Sequence, residues 1–261
     1  MTFDDWSGAR GEAAPPRPPP GIRTVSSPGA GATRLVLIRH GEAVCNVSGV
    51  CGGIIGCRGL TELGRTQVAA LGDRLERSGE LAGADVLYAS VLPRAIETAM
   101  AVAPALIGSG SGGRSQPMME PVTDCGLCEL HPGEADGLTW AEFTERFGEL
   151  DWDAEPGRPI APGGESWTGF VRRVAGTLDR IVAHHPAQLV VVACHAGVIE
   201  ASVLAKVPVA GGLDGARLQL RTRHASMTTW EIDDGRWRLL AYNDAAHLNP
   251  IGSSMVAARG A

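Results

Sequence analysis

Three apolar runs in this chain end in residues suited to holding and attacking an anion. Leu35-Val-Leu-Ile38 leads into Arg39-His40-Gly41-Glu42. Asp85-Val-Leu-Tyr-Ala-Ser90 leads into Val91-Leu-Pro-Arg94, and Leu189-Val-Val-Val-Ala193 leads into Cys194-His195-Ala196-Gly197. Short, wholly apolar runs suit strands covered on both faces, and sites in open α/β sheets lie beyond the carboxyl ends of their strands. Neighbouring strands would therefore bring Arg39, Arg94, His40 and His195 into one pocket. Like charges gathered in this way cost free energy unless an anion sits among them. Phosphate is the natural occupant, because arginine gives it bidentate, charge-assisted hydrogen bonds and helix N-termini add backbone N–H groups. A neutral imidazole can attack phosphorus and later depart, which splits hydrolysis into two easier steps. Fixed cations stabilise the charge on the equatorial oxygens, and a carboxyl group must protonate the departing alkoxide. Glu42, Glu62, Glu129, Glu134 and Asp136 compete for that last task.

The elements that must place these residues follow from local pattern. Thr61 caps a helix expected over 61–77, with Val68, Leu71 and Leu75 on one side. Pro93 suits the first turn of a helix expected to end near Ala103. Thr139-Trp-Ala-Glu142 is a capping box, followed by Phe143 and Phe147. Ser166 caps a helix whose Trp167, Phe170, Val171, Val174, Leu178 and Ile181 form an apolar stripe. Two strand-like runs flank Asp233-Asp234-Gly235, a hairpin signal. Strand–helix alternation with a late hairpin predicts a three-layer α/β/α sandwich, its central sheet mostly parallel with an antiparallel edge strand. Residues 1–33 are rich in Pro, Gly, Ala and Ser and read as a disordered tail. Residues 34–250 form the expected catalytic domain, with a flexible insertion at 108–117, and 251–261 read as a flexible tail.

Composition excludes several classes. The 261 residues carry 23 Lys+Arg against 29 Asp+Glu, a net charge of −6, which disfavours a nucleic-acid binder driven by bulk positive charge. Lys206 is the only lysine, and it lies in Ala-Lys-Val-Pro, so a Walker-type loop has no lysine to use. No apolar run approaches the ~20 residues that span a bilayer, and the first residues lack a signal-type stretch. A cytoplasmic protein is the expectation. The six cysteines read as free thiols. Cys125-Gly-Leu-Cys128 has a suggestive spacing, but no second pair accompanies it, so no metal site is expected.

The ordered set of motifs resembles the histidine phosphatase superfamily, which includes the cofactor-dependent phosphoglycerate mutases. Leu35-Val-Leu-Ile-Arg-His-Gly-Glu42 carries the resemblance first. It continues through Asn46, Gly59-Leu-Thr-Glu-Leu-Gly64 and Ser90-Val-Leu-Pro-Arg-Ala-Ile-Glu-Thr-Ala99. Glu129 with Gly133 and Gly137, Pro162-Gly-Gly-Glu-Ser166, His195, and Asn243 with His247 complete it. The resemblance implies that His40 is the phosphorylated nucleophile. Arg39, Arg94 and His195 would bind phosphoryl oxygens, with Asn46 and Ala196 as further contacts, and Glu129 would be the general acid and then the base. No cofactor is implied. Ala135-Asp136-Gly137 departs from the family's Trp-Glu-Gly, and Ala196-Gly197 from its Gly-Gly. The expected activity is hydrolysis of a small phosphorylated metabolite, because the mutases carry a longer insertion between the acid and the second histidine. Mutase-type isomerisation, a phosphoprotein substrate and a non-catalytic binding role are the alternatives. Trp140, Trp152, Trp167 and His131 are candidates for shaping the substrate pocket, while His224 has no assigned role.

Overall fold

The computed structural model describes residues 31–107, 119–206 and 220–249. The N-terminal tail, the 108–117 insertion and the C-terminal tail anticipated above lie outside these residues, apart from 31–33.

Six strands form one sheet: β1 (Thr33–Arg39), β2 (Val86–Ala89), β3 (Val122–Thr123), β4 (Leu189–Cys194), β5 (Met227–Asp233) and β6 (Arg236–Asp244). Their order is β3-β2-β4-β1-β5-β6. The β3–β2, β2–β4 and β4–β1 pairings are parallel, whereas β5 runs antiparallel to β1 and β6 antiparallel to β5. The antiparallel edge is thus a hairpin, in which β5 alone is inverted and β6 is outermost. Its turn places Asp234 at φ 48° and Gly235 at φ 72°, the two left-handed residues that match the twist of a two-residue hairpin.

Helices cover both faces. On one side lie α2 (Glu62–Ser78) and α3 (Pro93–Leu106), and on the other α5 (Trp167–His184) and α6 (Ala196–Lys206); α1 (Val44–Ser48) and α4 (Trp140–Phe147) sit in the connections. Strand β4 is buried throughout and β1 up to the half-buried Arg39, and side-chain alternation divides them between two cores. Leu35, Leu37, Val190 and Val192 pack with Phe170, Val174 and Leu178 of α5. Val36, Ile38, Val191 and Ala193 pack with Leu71 and Leu75 of α2 and Val102 of α3. The caps form as expected: Thr61 Oγ1 accepts from Gly64 N at 2.9 Å, Ser166 Oγ from Gly169 N at 3.1 Å, and Thr139 Oγ1 from Glu142 N at 3.2 Å. Helix α3 continues past Ala103 and carries Pro104 within it. Strand β3 and helices α1 and α6 had no counterpart in the pattern analysis.

Register decides where the chemistry lies. Arg39 is paired with Cys194, and Ala89 with Ala193. His40, His195 and Ser90 are therefore the next residues out from three neighbouring strand ends.

Candidate active site

His40 leaves β1 with its backbone fixed on both sides, its N–H donating to Cys194 O at 2.9 Å and its carbonyl accepting from Ala225 N at 3.2 Å. The following Gly41 is forced by packing, because a Cβ there would lie 2.5 Å from the carbonyl oxygen of Gly64 in α2. The His40 side chain is buried, at 3% exposure. Its Nδ1 is 2.6 Å from Gly41 O, and Arg94 Nε reaches its Nε2 at 3.3 Å. A carbonyl only accepts and a guanidinium only donates, so the ring proton is on Nδ1 and Nε2 presents its lone pair. Burial holds the His40 pKa well below the ordinary histidine value, and the Arg94 and Arg39 charges push it further down. The imidazole is therefore neutral at physiological pH.

Arg94, in the first turn of α3, is buried at 3% exposure. Its Nη1 donates to Gly52 O at 2.7 Å. Arg39 donates through Nη1 to Thr222 O and sits 2.8 Å, through Nη2, from His224 Nε2. Burial lowers the Arg39 pKa, and Arg94 adds to that lowering while Glu129 opposes it. His195 follows β4 and is wholly buried, with Nε2 2.7 Å from Ser90 Oγ, while its buried Nδ1 has no hydrogen-bond partner among the described residues. Burial and the Arg94 charge also keep this imidazole well below the ordinary value. The His40 and His195 ring centroids are 5.1 Å apart. The site thus holds two arginines beside two neutral histidines, an arrangement whose charge calls for an anion.

Glu129 closes the cluster. Its Oε2 accepts from Gly197 N at 3.1 Å and its Oε1 from Leu130 N at 3.3 Å, which sets the carboxylate at the N-terminus of α6. Gly197 makes room for it: a Cβ there would fall 3.1 Å from both Glu129 Cδ and Phe170 Cε1, and nearer still to Oε1. The other candidate carboxylates are engaged elsewhere. Asp136 accepts from the backbone N–H groups of Gly53, Ile55 and Gly56, each at 2.9 Å, and so fastens the loop that offers Gly52 O to Arg94. Glu134 pairs with Arg146 at 2.9 Å, Glu42 accepts from Thr61 Oγ1 at 2.8 Å, and Glu62 begins α2. Asn46 is exposed and its Oδ1 caps α1 by accepting from Ala43 N at 3.1 Å. Ala196 opens α6 directly after His195, so its backbone N–H belongs to a helix N-terminus.

His224 is the residue that sequence reasoning left unassigned. Its ring centroid lies 5.8 Å from that of His40, and burial together with Arg39 brings its pKa down to about 4. The signal was in the topology. Because β5 is antiparallel to β1, its amino end, not its carboxyl end, lies beside His40, with Met227 paired to Ile38. Asn243 holds the segment before β5 in place, accepting from Arg223 N at 2.7 Å and donating to Arg221 O at 3.0 Å. Of the candidate pocket aromatics, Trp152 stacks on Trp167 with ring centroids 5.8 Å apart, whereas Trp140 meets Phe143 edge-on. His131 engages Cys125 and Glu165.

The family model "Histidine phosphatase superfamily (branch 1)" matches residues 35–245. The chain belongs to this superfamily. It is 30% identical over 223 residues to the metal-independent phosphoserine phosphatase of Arabidopsis thaliana, covering 84% of this chain and 85% of that protein. It is also 30% identical over 242 residues to the glucosyl-3-phosphoglycerate phosphatase of Mycobacterium tuberculosis, covering 84% of this chain and 97% of the relative. The solved structure of the native mycobacterial glucosyl-3-phosphoglycerate phosphatase superposes with a TM-score of 0.63 at 28% identity, over 81% of this chain and 99% of that one. No helix among the described residues is long and apolar enough to cross a membrane.

Proposed function

We propose that this histidine phosphatase family member hydrolyses the monoester of a small phosphorylated metabolite through a phosphohistidine at His40, without a catalytic metal. The observation that carries the reading is the neutral His40 imidazole, its Nε2 lone pair facing buried Arg94 and its ring centroid 5.1 Å from that of buried His195. The 3.3 Å Arg94–His40 contact is long, and a phosphoryl oxygen is a stronger acceptor for that guanidinium than a neutral imidazole. Substrate therefore takes Arg94 over and frees the lone pair. Arg39 and Arg94 neutralise the phosphoryl oxygens. Ser90 Oγ accepts from Leu92 N at 3.3 Å and lies 2.7 Å from His195 Nε2; with its hydroxyl donating to that nitrogen, the otherwise unpartnered Nδ1 carries the proton that His195 gives to phosphate. Asn46 and the Ala196 N–H are the further contacts.

In the first step His40 Nε2 forms its bond to phosphorus as the ester oxygen departs with a proton from Glu129. In the second, Glu129 takes a proton from water, the oxygen attacks phosphorus, and the P–N bond breaks to release inorganic phosphate and restore His40. Two arginines supply the positive charge that a metal would otherwise bring. The relatives named for phosphoserine and for glucosyl-3-phosphoglycerate support a carboxylate-bearing small substrate.

A panel of phosphorylated metabolites, assayed for phosphate release in excess EDTA, tests this proposal. Multiple turnover of at least one small monoester is expected. Rapid interconversion of 2- and 3-phosphoglycerate with negligible hydrolysis would replace the phosphatase reading with a mutase.

A further inference from the structure

Beside the phosphoryl site, the segment that carries Glu129 holds a second concentration of reactive groups. Cys125, Cys128 and His131 bring two thiols and one imidazole nitrogen within 4.8 Å of one another. We infer that Cys125 Sγ, Cys128 Sγ and His131 Nε2 form a structural Zn²⁺ site, its fourth position taken by water.

The distances fit the ion. Zinc bonds of ~2.3 Å to sulfur and ~2.0–2.1 Å to nitrogen at tetrahedral angles separate two sulfurs by about 3.8 Å, and a sulfur from a nitrogen by about 3.6 Å. The two sulfurs are 3.6 Å apart, and Cys125 Sγ is 3.4 Å from His131 Nε2. Only the Cys128–His131 edge, at most 4.8 Å long, needs to close, by about 1.2 Å at most. The S₂N donor set is soft enough to favour zinc over calcium or magnesium.

The surroundings are built to hold this geometry. A short 3-10 turn, Cys125–Leu127, is capped by Asp124, whose Oδ1 accepts from Gly126 N at 2.7 Å, and it turns both thiols to one side. Arg173 ties the segment down from α5, donating to the carbonyls of Cys125, Gly126, Cys128 and Glu129 at 2.9–3.3 Å. Glu165 holds Arg173 at 2.6 and 2.7 Å and lies 3.5 Å from His131 Nδ1. That places a carboxylate behind the imidazole while Nε2 faces the sulfurs, the arrangement that orients metal-bound histidine. Cys125 is exposed and offers a route in, whereas Cys128 is buried. On binding, each thiol releases a proton to solvent, so two thiolates balance the ion's charge. A disulfide between the cysteines would leave His131 and its carboxylate without a part. The ion would brace the residues on either side of Glu129 and take no part in phosphoryl transfer.

The full-length protein, kept reduced and stripped of metal, should bind one equivalent of Zn²⁺. With Co²⁺ it should give the thiolate charge-transfer and tetrahedral d–d absorption of an S₂N site. Cys128→Ser and His131→Ala, each checked for folding by circular dichroism, should weaken Zn²⁺ binding by more than about 100-fold, beyond the ~10–100-fold typical of losing an outer partner. Zn²⁺ affinity unchanged in both variants would overturn the inference, as would no binding by wild type with all six thiols titratable. Phosphorylation of His40 followed in the same samples keeps failure here distinct from failure of the phosphatase reading.

Discussion

Gly197→Ala tests whether Glu129 acts on the leaving group. The added methyl carbon would sit 3.1 Å from Glu129 Cδ, closer still to Oε1, and 3.1 Å from a Phe170 ring carbon. The wholly buried ring blocks retreat in one direction, so the carboxylate must yield by about 1 Å. A misplacement of that size costs a catalytic group on the order of 100-fold, and complete loss of general acid catalysis costs ~100- to 10,000-fold. The Gly197 N–H bond to Oε2 is lost with the shift. Neither His40, Arg94 nor Arg39 touches Gly197 in its hydrogen bonds, so attack on phosphorus is spared. Gly197→Ala and Glu129→Gln should therefore both slow hydrolysis of an alkyl phosphate by at least about 100-fold. Phosphorylation of His40 by p-nitrophenyl phosphate, whose leaving group needs no proton, should change by less than about tenfold. Stopped-flow and quench-flow kinetics on both substrates give the comparison. Equal losses for the two leaving groups would refute the reasoning, and normal alkyl ester turnover in Gly197→Ala would show that Glu129 does not need its position.

Further outcomes follow from the same contacts. Arg94→Met should cut kcat/KM by about 100- to 1,000-fold, the cost of removing a transition-state donor; a loss below tenfold in steady-state assays would contradict its place at the phosphoryl group. His224→Phe frees Arg39 Nη2 from its 2.8 Å partner and should lower kcat/KM by about tenfold, since hydrogen bonds to charged groups are worth ~1.5–3 kcal/mol; an unchanged value would make His224 a bystander. The lowered pKa of His40 and His195 keeps both rings neutral as pH falls through 6.5, so the rate of His40 phosphorylation should show no acid limb centred there. Stability has the opposite tendency. These histidines, with His224 and His247 at about 4, bind more protons when unfolded, so denaturation midpoints should fall as pH drops from about 6.5 toward 4; a flat pH profile would contradict the burial of these rings.

The parallel part of the fold was legible because its determinants are local. Wholly apolar runs, three side-chain caps and Pro93 mark β1, β2, β4 and helices α2 to α5 without reference to contacts far along the chain. Arg39, Arg94, His40 and His195 could be grouped because parallel strands all present their carboxyl ends to one edge. His224 escaped the same rule because β5 is inverted. Ser90 was visible only as part of a motif, since its link to His195 depends on the β2–β4 pairing. Glu129 could not be separated from Asp136 or Glu134 by spacing; their hydrogen bonds separate them, with Asp136 consumed by three backbone donors. The Cys125–Cys128 pair looked incomplete because the imidazole beside it is three residues on, at His131, outside any paired-cysteine pattern.

Trapping the phosphoenzyme tests the central claim most directly. Brief incubation with a labelled phosphomonoester, followed by rapid quenching, should yield protein-bound phosphate that is stable to base and labile to acid, at one equivalent per chain. Peptide mapping should place the label on His40, and His40→Ala should carry none. Labelling that persists in His40→Ala, or multiple turnover by that variant, would contradict attack by His40 on phosphorus.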